Sequence, residues 1–502
     1  MKIVIVGGGT AAWLSAFIFS HATKGNDITL IESMDVPIVG VGEGSTGIFA
    51  DLFNGRFFPT DIQFEEVKRV MDVTPKLAIN FKNWTSKKDK NYLSPVDGTP
   101  TATQFKDTLF LQGLKKHKEN YHLSSPCGFN WNENKMAGGA FHFNTNRVGE
   151  LLKNKCIYKG VEVINGTVQK CVLNENGEVH SLLMDDNNML EGDLFVDATG
   201  FKKFLISELD EWKWVDYVDH LPMNAAIPFD HRYEDMSEEE FNSIRPETTA
   251  QAMNAGWQWM IPTTHRVGKG YVFDDTMISE DEAIKEINDF YGKEIEVRNK
   301  IKFRSGRLEK QWMKNVLAIG LSGAFAEPLQ ATSIHTTIVQ LIEFTRKYLK
   351  QSKEETLTDT NRNKFNTQMS RVYDDMRDFL VLHYTGDRED TPFWKKIKSQ
   401  EHLTPQVKEI LEMSKHTIPD MSTFNIYFGH VNNMLWNWTL AGLGHITPEL
   451  AEKEMKYYRI DHEAWIDDHI NKYRLDSQNS QSMQDYIMDV NPLAKEKFNK
   501  NN

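Results

Sequence analysis

The sequence predicts an α/β fold, a box built on a parallel sheet that continues into a mainly helical C-terminal region. Three observations predict it. A glycine-rich turn joins a buried strand to a helix at the start of the chain; two later apolar strands run into glycine-containing turns; and beyond about residue 345 the apolar residues recur at helical spacing.

The first strand is Lys2 to Val6 (KIVIV), a β-branched run suited to burial on both faces. Gly7-Gly8-Gly9-Thr10-Ala11-Ala12 follows, then a helix from Trp13 to Ser20, giving GxGxxA between strand and helix. Gly7 permits the tight turn, Gly9 lets the backbone approach a pyrophosphate, and Ala12 lets helix and strand pack closely. The helix N-terminus, from Thr10 and Ala11, adds N–H groups and a positive dipole. A second strand, Ile28 to Ile31, ends at Glu32, placed to accept hydrogen bonds from ribose hydroxyls. Strand, turn, helix, strand and acid in this order predict a Rossmann-like dinucleotide site.

The later strands narrow the dinucleotide. Glu191 to Gly200 runs an apolar strand into Asp197-Ala198-Thr199-Gly200, and Asn315 to Ala318 leads into Ile319-Gly320-Leu321-Ser322-Gly323-Ala324-Phe325. Both resemble the later flavin-contacting segments of FAD enzymes built on the glutathione-reductase plan. No second GxGxxG follows a strand, so the flavin must be reduced by something other than a resident nicotinamide.

Composition bounds the rest. At 502 residues the chain exceeds one ordinary core. The expected division is an FAD-binding box over 1–345, with substrate-cap insertions at about 85–140 and 205–300, and a helical substrate or cap domain over 346–502. A net charge of −13 argues against nucleic acid as a partner. A mean hydropathy of −0.51 and the lack of a long apolar run argue against a membrane span. Cys127, Cys156 and Cys171 are an odd number without CxxC spacing, which suggests neither a disulfide framework nor a metal site and points to a reduced, cytoplasmic protein.

With these segments in place, the chain resembles the flavin-dependent halogenases of the tryptophan-halogenase type. Trp257-Gln258-Trp259-Met260-Ile261-Pro262 matches the family's WxWxIP, and Gly268 to Phe273 (GKGYVF) stands where the family has a GYVY-like strand. Ile38 to Thr46, with Val41, Gly42 and Glu43, resembles its VGEAT stretch; Phe141 to Asn144 resembles YHFD, and Phe325 to Leu329 resembles FxEPL. The likeness covers most of residues 1 to about 345 and returns in places near the C-terminus.

The resemblance implies an enzyme that uses reduced FAD, supplied by a separate flavin reductase, with O2 and halide. It would halogenate an electron-rich aromatic small molecule of indole or phenol type. Phe325, Leu329 and Gly320 would join the flavin contacts, and Trp257, Trp259 and Pro262 would form a barrier that keeps the arene off the flavin. The bare pattern fits two tryptophans packed on one face of a strand equally well. Thr332 and Ser333 match the positions whose backbone amides hold halide. Lys76, within Thr74 to Trp84, matches the family's essential lysine, which receives hypohalous acid and directs electrophilic halogen to the ring. A cation donating to the oxidant's oxygen improves the leaving group; a haloamine would instead require a neutral amine, which burial favours.

Two departures stand out. Pro75 replaces the usual aromatic before the lysine, and Gln330-Ala331 replaces the Glu-Ser of E-P-L-E-S-T-G-I. Gln330 keeps a hydrogen-bonding carbonyl but cannot carry a proton at neutral pH. Proton removal then falls to water, to Glu327 or another group, or is not needed for an activated arene. Alternative readings are a flavin monooxygenase or oxidase that lost halogenation, and a non-catalytic flavoprotein. Phe424 to Trp438 is dense in aromatics, and Trp436 and Trp438 are pocket candidates beside a reading as helix core. The polar tail from Asp476 should dangle or cap, and a homodimer is the default assembly.

Overall fold

The computed structural model describes residues 1–34, 43–87, 90–96, 102–103, 106–118, 121, 140–420, 431, 433–460 and 463–499. Lys2–Val6 forms the predicted strand inside a six-stranded sheet ordered Glu162–Asn165, Asp27–Glu32, Lys2–Val6, Leu194–Asp197, Val316–Ala318 and Trp312–Met313. The first five strands run parallel and the sixth antiparallel. Alternation along Lys2–Val6 explains why Ile3 to Val6 are all apolar. Ile3 and Ile5 pack with Trp13, Phe17, Ile338 and Leu341 on one face, while Val4 and Val6 pack with Leu182, Leu308 and Met313 on the other.

A second, seven-stranded sheet carries the tryptophan pair. Its order is Ile301–Lys302, Ala225–Arg232, Arg266–Phe273, Gly256–Pro262, Glu247–Ala252, Ala78–Lys82 and Asn91–Pro95. All pairs in it are antiparallel except Glu247–Ala252 with Ala78–Lys82. Four of these strands come from the 205–300 stretch expected as an insertion. Glu247–Ala252 (ETTAQA) has no apolar alternation, yet every residue in it is buried. Pairing on both sides, rather than side-chain hydrophobicity, holds it in place.

Beyond the sheets the chain is helical, led by Thr332–Lys347 and Asp359–His383. Thr-Pro pairs open three helices: Thr391, Thr404 and Thr447 each cap through the side-chain oxygen, with Pro at the first helical position, where its missing N–H costs nothing. The polar tail caps rather than dangles. Met483, Ile487 and Ala494 are buried against Tyr233, Phe241 and Val267, and the Phe498 ring stacks on Phe241 at 4.1 Å. Among the described residues no helix is long and apolar enough to cross a membrane.

Candidate active site

A cavity of about 910 Å³ opens at the C-terminal ends of the parallel strands and reaches the second sheet. Gly7, Gly9, Thr10, Ala11 and Glu32 line one end; Gly320, Phe325 and Leu329 continue the wall to Trp257, Trp259, Lys76 and Gln330. Many of the predicted site residues are thus brought together, from segments more than 300 positions apart in sequence, while Ala12, Asp197, Pro262, Trp436 and Trp438 stand outside the lining.

The glycine turn is built for a close ligand. Gly7 has φ +139°, and a Cβ there would stand 2.4 Å from the Ala198 carbonyl oxygen, so only glycine fits without strain. Gly9 caps the Thr10–Ala22 helix without a side-chain acceptor, and no acidic residue occupies the first turn. The first amides of that helix are therefore left for an anion. Ala12 is fully buried in the helix–sheet core, the close-packing role read from the sequence. Glu32 accepts from Lys153 Nζ at 2.6 Å at the cavity rim.

Asp197 works behind the wall. Its Oδ1 accepts from the Thr199 amide and hydroxyl and from Ser322 Oγ, and its Oδ2 accepts from the amides of Leu205 and Ile206. Buried and fully coordinated by donors, it folds the turn that presents Ala198, Thr199 and Gly200 to the cavity. Val41 and Gly42 lie outside the described residues, and of Glu43 only the backbone strand with Gly44 is described.

Trp257 and Trp259 sit at alternate positions of Gly256–Pro262, so both indoles leave the same face and line the cavity, with ring centroids 6.4 Å apart. Gly270 pairs with Trp259 across the sheet, and a Cβ on it would stand 2.1 Å from the indole. The indole lies over that glycine, which fixes its tilt. Pro262 lies behind them, outside the lining, where its carbonyl accepts from Thr74 Oγ1 at 2.5 Å.

Lys76 is the least ordinary group here. It ends the short strand Thr74–Lys76, paired with Ala140–Phe143, and is wholly buried. Its Nζ donates to the Ser45 carbonyl oxygen at 3.0 Å, and Gly44 leaves the room it needs: a Cβ there would stand 2.7 Å from Nζ. Among the described residues no carboxylate pairs with it. Desolvation without compensation pushes its pKa from 10.5 down to about 7.

The surroundings of Lys76 are neutral as well. Thr74 spends its hydroxyl hydrogen on Pro262, so His142 Nδ1 donates to Thr74 Oγ1, and His142 Nε2 accepts from Thr248 Oγ1 at 2.9 Å. Burial, with the nearby lysine, holds His142 well below the ordinary histidine range. Such an amine costs stability. At pH 8 the unfolded lysine holds a proton that the folded one has largely lost, so this group's contribution rises with pH from about 7 to about 10.5. Lys269, pushed down to about 7 by burial, acts in the same sense. Lys76→Met is expected to raise the urea midpoint at neutral pH and to flatten the rise of stability over that window, measured by urea titration at several pH values.

At the other side of the wall, Gln330 and Ala331 adopt left-handed backbone, with φ of 65° and 55°. They turn the chain into the Thr332–Lys347 helix. Ala331 caps that helix without an acceptor, so the first amides, around Thr332 and Ser333, keep their hydrogen-bonding capacity at the cavity. Trp436 and Trp438 are not brought to the cavity. Both are buried in the helical core, Trp436 against Phe379 at 5.5 Å and Trp438 against Tyr121 at 5.1 Å, which is the packing expected of aromatics on a helix buried among others.

Sequence reasoning passed over Ser45, Ser94, Thr248 and His383. Each reaches the site through tertiary contacts, and a lone Ser, Thr or His in a strand or helix carries no local signal. Glu327, expected as a substitute base, takes another form. It is fully buried, accepts from Tyr384 Oη at 2.5 Å, and is pushed up to about 8 by burial, so it stays protonated at neutral pH.

This fold and cavity define a dinucleotide-dependent α/β enzyme whose cofactor end shares one chamber with an enclosed, near-neutral amine. The tryptophan halogenase family model matches residues 2–456. Tryptophan 7-halogenase RebH of Lentzea aerocolonigenes is 30% identical over 511 aligned positions, covering 92% of this chain and 93% of that protein. The crystal structure of tryptophan 6-halogenase SttH from Streptomyces toxytricini superposes with a TM-score of 0.81 at 28% identity, covering 97% of this chain and 99% of that one. BrvH, a flavin-dependent halogenase from Brevundimonas sp. BAL3, gives 0.80 at 25% identity, covering 97% and 98%. The chain belongs to the tryptophan halogenase family and is a flavin-dependent halogenase.

Proposed function

We propose that the protein takes FAD in reduced form from a separate reductase and uses it with O2 and halide to halogenate an electron-rich arene of indole or phenol type, with Lys76 as the residue that delivers the halogen. RebH and SttH are tryptophan halogenases, which supports an indole as the substrate class. The cofactor fits the residues present: uncapped amides at the glycine turn would suit a pyrophosphate, and the Glu32 carboxylate in the cavity lining would suit ribose hydroxyls. Bound there, reduced flavin supplies the electrons with which O2 becomes an oxidant of halide.

The chain's own residues do the rest. The amides at Thr332 and Ser333 suit a halide ion at a helix N-terminus. Trp257 and Trp259 line the chamber that the cofactor end shares with Lys76, and their indoles would keep the arene off the flavin. Lys76, close to half-protonated at neutral pH, can donate to the oxygen of hypohalous acid or, as the free amine, take up the halogen. The observation that carries this reading is the complete burial of Lys76 in the wall of the cofactor cavity, with a backbone carbonyl as its partner. It is tested by incubating indoles and phenols with enzyme, reduced FAD, O2 and chloride, bromide or iodide, read by mass spectrometry. Halogenated arene in the presence of halide is expected; hydroxylated product alone would refute it.

A further inference from the structure

Gln330 and His383 meet at the cavity wall, brought together from positions 53 apart. Gln330 Nε2 lies 2.9 Å from His383 Nε2 and 3.1 Å from Ser94 Oγ. His383 Nδ1 lies 2.9 Å from the Phe379 carbonyl one helical turn earlier, an acceptor only, so Nδ1 carries the ring's proton. His383 Nε2 is then a bare lone pair, and the group facing it must donate. The ring is wholly buried, which pushes its pKa down to about 3 and keeps it neutral at any working pH.

This assigns the amide's direction, which electron count alone would leave open. Both Gln330 N–H groups are spent inward, on His383 and Ser94, and Oε1 is the polar atom left on a side chain that lines the cavity. No described residue donates to it. A carboxylate at position 330 would set an oxygen against the histidine lone pair, so glutamine and His383 are a matched pair.

We propose that His383 is a positioning residue that holds the Gln330 amide as an uncharged, one-way acceptor toward the cavity, selecting a ligand that presents an N–H or O–H hydrogen there. The identity of that ligand as an aromatic substrate or as hypohalous acid rests on the function proposed above.

The test measures affinities of the FAD-loaded enzyme by calorimetry for indole against 1-methylindole and phenol against anisole. Separately, it measures oxidised halogen caught by a soluble trap. Wild type is expected to favour the hydrogen-bearing partner of each pair about tenfold, the value of one well-made hydrogen bond. His383→Phe is expected to cut that ratio below about twofold and His383→Gln, which restores an acceptor, to recover it. A ratio of two affinities on one sample is not moved by loss of folded protein. Equal affinities with a trapped-halogen yield that falls in His383→Phe and recovers in His383→Gln assign the acceptor to the oxidant instead of the arene. Should His383→Phe not fold, Gln330→Met must lose the preference while His383→Gln keeps it. A preference that survives both Gln330→Met and His383→Phe, or neither signal in wild type, overturns the proposal. Absence of halogenated product from any arene, with the binding preference intact, would count against the function and not against the pair.

Discussion

Lys76→Met lowers the rate of arene halogenation by about 10²–10³-fold or more, the loss expected when a single preorganised donor to a reacting oxygen is removed. Flavin binding is expected to be unchanged in the same variant, because the Lys76 amine bonds to the Ser45 carbonyl and not to the glycine turn. Methionine has similar reach and no charge, so it fills the buried space without a cavity. The variant is also more stable at neutral pH, since it no longer has to strip a lysine of its proton on folding. Gain of stability with loss of activity separates a catalytic amine from one that holds the fold together. Lys76→Arg does not rescue. Guanidinium is a planar fork too large for a site where a single Cβ at Gly44 would already touch Nζ, and it does not become neutral.

Gly7→Ala weakens FAD binding by about 100-fold, roughly 2.7 kcal/mol. A methyl group at φ +139°, 2.4 Å from the Ala198 oxygen, cannot be accommodated without moving backbone on one side or the other. Backbone strain of this kind costs about 1–3 kcal/mol, and the shift also misplaces the amides that open the Thr10–Ala22 helix. Flavin retention on gel filtration, with a fluorescence titration of FAD, measures it. Gly9→Ala is the control: nothing lies within 4 Å of a Cβ there in the ligand-free chain, so any loss of affinity comes from the ligand's approach and not from folding.

The contrast between these residues shows what was legible in the chain. The glycine turn is contiguous, and its strand–turn–helix geometry is local, so Gly7, Gly9 and Glu32 could be read from spacing alone. Trp257 and Trp259 showed their common face through period-2 alternation, but whether that face met a core or a cavity required the fold. Lys76 carries no local mark at all; its burial comes from Gly44, Ser45 and the Ala140–Phe143 strand, and only the family resemblance singled it out. His383 and Ser94 were invisible for the same reason, being distant partners of Gln330. Aromatic density left Trp436 and Trp438 open between pocket and helix core, because helix packing and ligand pockets use the same side chains, and the fold packs both in the core. Glu247–Ala252 was hidden by its polar composition, although it is an interior strand of its sheet.

In the proposed reaction halogen reaches the arene through the buried Lys76 amine. Its most direct measurement partitions oxidised halogen between an arene and a soluble β-diketone trap, in wild type and in Lys76→Met, with reduced FAD, O2 and bromide. Wild type is predicted to place bromine mainly on the arene, and Lys76→Met to produce as much oxidised bromine but lose it to the trap. Arene bromination by Lys76→Met at the wild-type rate and share would contradict it.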